Sequence, residues 1–195
     1  MARLDSRILH IGSGCGRYAA TLRDFEYYGT RFTGHYTGID VAREMVEWCR
    51  AHFPDDRFTF ELSGAYSRVY NPGGDPAKPP RYDIDDASQD FVFSNSLLTH
   101  LLEPELGGHL AEMHRVLAPG ATALMTVFCM DHLGEALGGR WTFRHRVGEA
   151  HVENAEYPEA AVAYSLKTRR EACRVAGFVS IDVIAGRGQS LVRAG

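Results

Sequence analysis

Short apolar runs alternate along this chain with segments whose apolar positions recur every three to four residues. The first run, Ile8, Leu9 and Ile11, predicts a strand over 7–11. Tyr18, Ala19, Leu22 and Phe25 then fall at helical spacing and predict a helix over about 16–28. A second strand is expected over 35–40 and a second helix over 42–52, with Met45, Val46, Trp48 and Cys49 on its apolar side. A short third strand follows near 58–61. Residues 62–88 are rich in Pro and Gly, and a structureless loop of that length in a compact domain is usually functional or mobile. Strand four is expected at 90–94, a short helix through Thr99–Leu102, a helix over 105–116 closed by Pro119-Gly120, and strand five over 122–128. Segment 131–164 is polar, aromatic and histidine-bearing and holds neither period. A helix over 165–176 ends at Gly177, a natural C-cap, and strands near 178–185 and 189–193 follow. Strands alternating with helices predict an α/β fold around a parallel sheet. With no internal repeat or low-complexity tract, residues 1–195 are read as one domain.

The junction of the first strand and first helix carries the most chemistry. Gly12, Gly14 and Gly16 are spaced two apart, and glycines there let a backbone approach a ligand with no Cβ in the way. A dinucleotide fingerprint wants its third glycine at position 17, which is Arg17 here, so the spacing points away from a pyrophosphate. Asp40 ends strand two and is expected at the carboxyl edge of the sheet beside this turn. A carboxylate there can accept charge-assisted hydrogen bonds from both hydroxyls of a ribose, or it can cap the helix that follows.

Composition narrows the classes. A net charge of −4 provides no basic footprint for nucleic acid and no polybasic membrane patch. No apolar run approaches the roughly 20 residues of a membrane span, and the first residues lack the apolar core of a signal peptide. The cysteines, Cys15, Cys49, Cys129 and Cys173, are scattered without a C-x-x-C pair, which reads as reduced thiols in a cytoplasmic protein. The histidines show no metal-ligand spacing, so no metal is expected.

Four ordered stretches resemble the class I S-adenosylmethionine-dependent methyltransferases, in their small-molecule branch. They are Leu9-His10-Ile11-Gly12-Ser13-Gly14-Cys15-Gly16, then Tyr36-Thr37-Gly38-Ile39-Asp40, then Asp90-Phe91-Val92-Phe93-Ser94-Asn95-Ser96, and Glu112-Met113-His114-Arg115-Val116-Leu117-Ala118-Pro119-Gly120. The resemblance implies a Rossmann-like, doubly wound, seven-stranded, mostly parallel sheet. It implies S-adenosylmethionine as cofactor, S-adenosylhomocysteine as product, and cofactor contacts from His10, Gly12, Ser13, Gly14, Gly16, Asp40, Val41, Ser94 and Asn95. Segment 131–164 becomes an insertion covering the substrate, with Trp141, Phe143 and Tyr164 either lining a pocket or packing for stability. Residues 70–74 become a loop near its mouth. The chain departs from the family in three places. His10 stands where members usually carry an acid that helps hold the cofactor's ammonium; a neutral imidazole can accept one hydrogen bond but forfeits the charge, about 1–3 kcal/mol. No acid stands at Ser63–Gly64, where members often place one to meet the adenine amino group; Glu61 or Asp85 could substitute, though neither falls clearly in register. The first strand begins six residues into the chain, where many members have a closing helix, and a more open site is expected.

Methyl transfer needs alignment and, for a hydroxyl acceptor, a base. His100 is the candidate, just beyond strand four, because an imidazole's ordinary pKa near 6.5 suits taking a hydroxyl proton at neutral pH. His151 and Glu153 are second choices, and His109 and His114 read as solvated helix residues. The expected function is methylation of a small molecule, at a hydroxyl of a sugar or secondary metabolite. The alternative is a methyltransferase-fold binding or regulatory protein without turnover, while a nicotinamide-dependent oxidoreductase is disfavoured by the glycine spacing. A homodimer is left open.

Overall fold

A computed structural model describes residues 3–133, 141–186 and 188–195, which divide into two compact units. Unit one runs to Phe93 and takes in Arg115–Thr122. Its elements are β1 (Arg7–Ile11), α1 (Arg17–Asp24), β2 (Glu26–Tyr27), β3 (Thr30–Arg31), β4 (His35–Asp40), α2 (Arg43–His52), β5 (Phe58–Leu62) and β6 (Gln89–Ser94), whose last residue belongs to unit two. The strands order as β5–β4–β1–β6 and every pair is parallel, with Ile8 opposite both Tyr36 and Phe91, and Tyr36 opposite Phe58. A strand covered on both faces reads as a continuous buried run, and Ile8 through Ile11 are all buried. Ala19 from α1, Val46 and Cys49 from α2 and Phe53 just after it close over Ile8, Tyr36, Phe58 and Phe60 to make this unit's core.

Two expectations in this unit change. The first helix stops at Asp24 because Phe25 is already extended, and β2 and β3 form a hairpin instead. Tyr28 and Gly29 at its tip both have positive φ, 48° and 73°, the geometry a two-residue turn needs to match strand twist. The Pro/Gly stretch 62–88 is pinned rather than loose. Asn71 Nδ2 donates to the Ala65 carbonyl (2.8 Å), and the Arg115 guanidinium donates to the carbonyls of Ile84 (2.7 Å) and Tyr82 (3.1 Å) and to Asp86 (2.6 Å).

Unit two holds Ser94–His114 and Ala123–Gly195. It contains most of α3 (Glu103–Val116), the end of β7 (Leu117–Cys129), β8 (His145–Val147), β9 (Ala150–Val152), β10 (Val162–Tyr164), α4 (Leu166–Val175), β11 (Ile181–Ile184) and β12 (Ser190–Ala194). β10 runs parallel to the end of β7, with Tyr164 opposite Cys129, and β9 and β8 continue from it antiparallel. β12 is antiparallel to residues 123–127 of β7 and to β11. All seven expected strands are present. Segment 131–164 adds three more, along with 3-10 turns at Met130–His132 and Pro158–Ala160; its residues 134–140 lie outside the described residues. The expected short helix through Thr99–Leu102 is a turn, and α3 begins at Glu103. β7 begins at Leu117, ahead of the Pro119-Gly120 pair expected to separate helix from strand. Among the described residues, no helix is long and apolar enough to cross a membrane.

Candidate functional site

The glycine turn joins β1 to α1 in unit one, and its backbone is fixed by the end of β4. Gly12, Gly14 and Gly16 all have positive φ (77°, 54° and 75°). The N–H groups of Gly12 and Ser13 both donate to the Ile39 carbonyl (2.8 and 3.0 Å), and that of Gly16 to Ser13 (3.1 Å). Gly14 N–H donates to Asp40 Oδ2 (2.7 Å), while Asp40 Oδ1 accepts from Ala42 N–H (2.9 Å). These four amides are therefore engaged within the unit rather than presented to a phosphate, which agrees with the glycine spacing. Gly16 is required for space as well as conformation: a Cβ there would lie 2.9 Å from the Phe53 ring and 3.1 Å from Cys49 Sγ. At Gly14 the nearest atom to such a Cβ is Met45 Sδ at 3.9 Å, so that position needs glycine for its left-handed backbone and otherwise faces open space.

Asp40 thus braces the turn from both carboxylate oxygens, and half-buried Val41 follows it into α2. Each oxygen keeps a lone pair beyond its amide bond, so the ribose role and the bracing role are compatible. Ser13 is buried and its Oγ has no hydrogen-bond partner among the described residues. An unsatisfied buried polar atom costs about 1–3 kcal/mol and calls for a ligand or water.

His10 lies in the same unit, only 2 % exposed, stacked on Phe93 with centroids 4.1 Å apart and hydrogen-bonded through Nδ1 to Tyr36 Oη (2.7 Å). Burial pushes the Tyr36 phenol far up, so it keeps its proton, and its one hydrogen-bond acceptor among the described residues is His10 Nδ1. The ring proton is accordingly assigned to Nε2, which is buried and has no partner among the described residues. This differs from the expectation that His10 offers an acceptor: the accepting nitrogen is taken by Tyr36, and the free one is a donor.

Burial also lowers the His10 imidazole to about 3 and His109, on α3, to about 4. His109 is buried, not solvated as expected, while His114 is exposed, its ring edge against Phe178. Both buried rings stay neutral in the folded chain, whereas an exposed imidazole takes up a proton near 6.5. The unfolded chain therefore binds more protons below that value. Stability from this source is intact above pH 6.5 and falls as the pH drops toward 4, then 3, with a slope approaching 2.7 kcal/mol per pH unit for two such groups. Urea unfolding between pH 7 and 5 is expected to show this slope, and the double variant His10→Phe/Tyr36→Phe to lose about half of it. An unchanged slope in the variant would mean that the His10 ring meets solvent.

In unit two, Ser94 is buried with an unpartnered Oγ, and Asn95 beside it is half-buried. Ser96 follows with φ 61°, a left-handed backbone uncommon for serine. It is locked by its N–H to Thr126 Oγ1 (2.7 Å) and by Oγ hydrogen-bonded to the Gln189 side-chain amide. Ser96 and Tyr36 fall within the quoted motifs, but neither was given a role, since a positive φ and a buried hydroxyl leave no periodic signal.

His100 is exposed, and its Nδ1 lies 2.8 Å from the Glu159 carbonyl oxygen. A carbonyl cannot donate, so Nδ1 carries the proton and Nε2 keeps its lone pair. The second-choice bases are placed differently. Burial would raise the Glu153 carboxyl, but donors from Phe143 and Thr142 outweigh it and hold it below the usual range, with N–H distances of 2.7 and 2.6 Å. His151 sits in β9 opposite Ala163. Trp141 and Phe143 pack on Phe128, and Tyr164 is fully buried, its Oη donating to the Leu101 carbonyl (3.2 Å).

A parallel α/β sheet, a left-handed glycine turn after its first strand and an acid at the next strand's end define an α/β protein of the methyltransferase fold type. Comparison with known proteins carries this further. Residues 9–125 match the methyltransferase-domain family, and the chain belongs to it and to the class I S-adenosylmethionine-dependent superfamily. Solved structures share the fold. An S-adenosylmethionine-dependent methyltransferase from Methanosarcina mazei aligns with a TM-score of 0.67 at 19 % identity, over 99 % of this chain and 93 % of that one. One from Mesorhizobium loti aligns at 0.66 and 17 %, over 100 % and 93 %. A putative methyltransferase of Haloferax volcanii, in complex with the Trm112 methyltransferase activator, aligns at 0.61 and 22 %, over 97 % and 81 %.

Proposed function

We propose that this chain binds S-adenosylmethionine and transfers its methyl group to a hydroxyl of a small molecule, such as a sugar or secondary metabolite, releasing S-adenosylhomocysteine. The observation that carries the reading is the two-sided bracing of the glycine turn by Asp40, which builds a rigid nucleoside cradle without presenting amides to phosphate. The residues present fit the cofactor: Asp40 keeps lone pairs for ribose hydroxyls, and Ser13 Oγ is an orphan in the same unit. His10 Nε2–H is a donor suited to the carboxylate of the methionine end rather than to its ammonium. Gly12 and Val41 complete the contacts proposed in unit one. When bound, the cofactor supplies a methyl group already activated on a positively charged sulfur. The chain's part is to align the acceptor, worth roughly 7–11 kcal/mol in near-attack geometry, and to take its proton. His100 Nε2 is assigned that proton.

A second reading, binding without turnover, is favoured by one feature: neutral His10 supplies no negative charge where the family's acid does. Thermal unfolding with S-adenosylmethionine or S-adenosylhomocysteine tests the reading. Both are expected to raise the melting temperature saturably by a few degrees at tenfold their dissociation constants. No shift at millimolar cofactor sinks it, and a shift without methyl transfer to any hydroxyl acceptor favours the second reading.

A further inference from the structure

Arg169, on the second turn of α4, is 1 % exposed, and none of Nε, Nη1 and Nη2 has a hydrogen-bond partner among the described residues. A buried guanidinium without acceptors is among the costliest arrangements a fold can hold, since it cannot neutralise itself by losing a proton. One face is covered by the Tyr164 ring, 4.8 Å from Cζ to the centroid. Cys173, Tyr164 and Cys129 are the titratable groups that face it, and burial pushes all three up, so each is protonated and neutral near pH 7. The carboxylate nearest in sequence to Cys129, that of Asp131, accepts through Oδ2 from the Leu166 N–H at 2.6 Å and from Cys129 Sγ at 3.9 Å, and makes no hydrogen bond to the guanidinium. Among the described residues, no carboxylate makes a hydrogen bond to Arg169.

The location is informative. Tyr164 and Cys129 pair across the parallel strands β10 and β7 and are the last residue of each. Arg169 therefore stands at the carboxyl ends of a parallel pair, the edge where α/β sheets take ligands. Its planar fork of donors, bounded by an aromatic face and two neutral thiols, matches a planar, singly charged and weakly hydrated oxyanion better than a multiply charged one.

We infer that Arg169 is a buried receptor for a carboxylate, held by the guanidinium fork over the Tyr164 ring at the ends of β7 and β10. On the methyltransferase reading, on which this part rests, the acceptor itself carries that carboxylate; a free small carboxylate is the other source of the same chemistry.

Thermal unfolding of the full chain in formate, against chloride at equal ionic strength, tests the receptor. Formate is expected to raise the wild-type melting temperature saturably, by about 3–5 °C at tenfold its dissociation constant, and to leave Arg169→Met unmoved. If Arg169→Met does not fold, Arg169→Lys serves, with the shift expected to weaken as the fork is lost. Equal, unsaturable shifts in formate and chloride for the wild type overturn the inference whatever the variants do. S-adenosylmethionine titrated in parallel separates the two claims. A cofactor shift without a formate shift removes the receptor alone, and a formate shift without a cofactor shift removes the methyltransferase reading alone. For the source, carboxylate-bearing acceptors are expected to turn over with a KM at least tenfold lower than their amides, a difference that Arg169→Lys narrows. Equal KM values assign the site to a free carboxylate.

Discussion

Replacing Asp40 with alanine is expected to weaken S-adenosylmethionine binding by about 10²–10⁴-fold, because two bonds to an ionised acceptor, each worth about 1.5–3 kcal/mol, are lost together. The same change removes the acceptors for the Gly14 and Ala42 amides, so the turn loosens as the ligand contacts vanish. Asp40→Asn separates these effects only in part. An amide presents an oxygen to one of the two backbone donors and an NH2 group to the other, so whichever way it flips, one brace becomes a donor–donor conflict. Asn is therefore expected to bind weakly as well, with a smaller loss of stability than Ala. Calorimetric titration gives the affinity, and thermal unfolding without cofactor gives the cost to the turn. An affinity within threefold of wild type in the alanine variant would leave Asp40 as a turn brace and nothing more.

That double duty explains what the sequence could and could not reveal. The strand β1 was legible because a strand buried on both faces is written as a near-continuous apolar run, β4, β5 and β6 were legible from short aromatic and β-branched stretches bounded by polar residues, and the glycines at 12, 14 and 16 stand out in any reading. The hairpin at 26–31 was not, since Phe25 falls at helical spacing from Leu22 and only the extended backbone of Phe25 ends the helix. β8 was hidden for the opposite reason: all three of its residues are exposed, so no alternation marks it. At the site, Asp40 and the glycines could be named, but the partners that set their chemistry could not. Tyr36, 26 residues from His10, turns the imidazole from an acceptor into a donor, and that depends on a contact that only folding creates. Arg169 is harder still, because an arginine in a short amphipathic helix reads as surface until its burial is seen.

Replacing His100 with alanine is expected to lower kcat by about 10²–10⁴-fold on a hydroxyl acceptor while S-adenosylmethionine affinity stays at the wild-type value. The argument rests on the tautomer. The Glu159 carbonyl takes the proton on Nδ1, so the lone pair sits on Nε2 of an exposed ring held at one end, which is the form a general base requires. The bond also ties the turn after β6 to the 3-10 turn at Pro158–Ala160, so its loss costs stability too, by about 1 kcal/mol. A purely structural role would show that loss of stability with little change in rate. Two further readouts divide the cases. Added imidazole is expected to restore part of the rate in His100→Ala, since a small base can enter the space the side chain leaves. An acceptor with a thiol in place of the hydroxyl is expected to suffer far less from the substitution, because a thiol ionises with little help near neutral pH. Full turnover of the hydroxyl acceptor by His100→Ala would move the proton to another group. Glu153, held by Phe143 and Thr142 below the ordinary carboxylate range, is poorly suited to take its place.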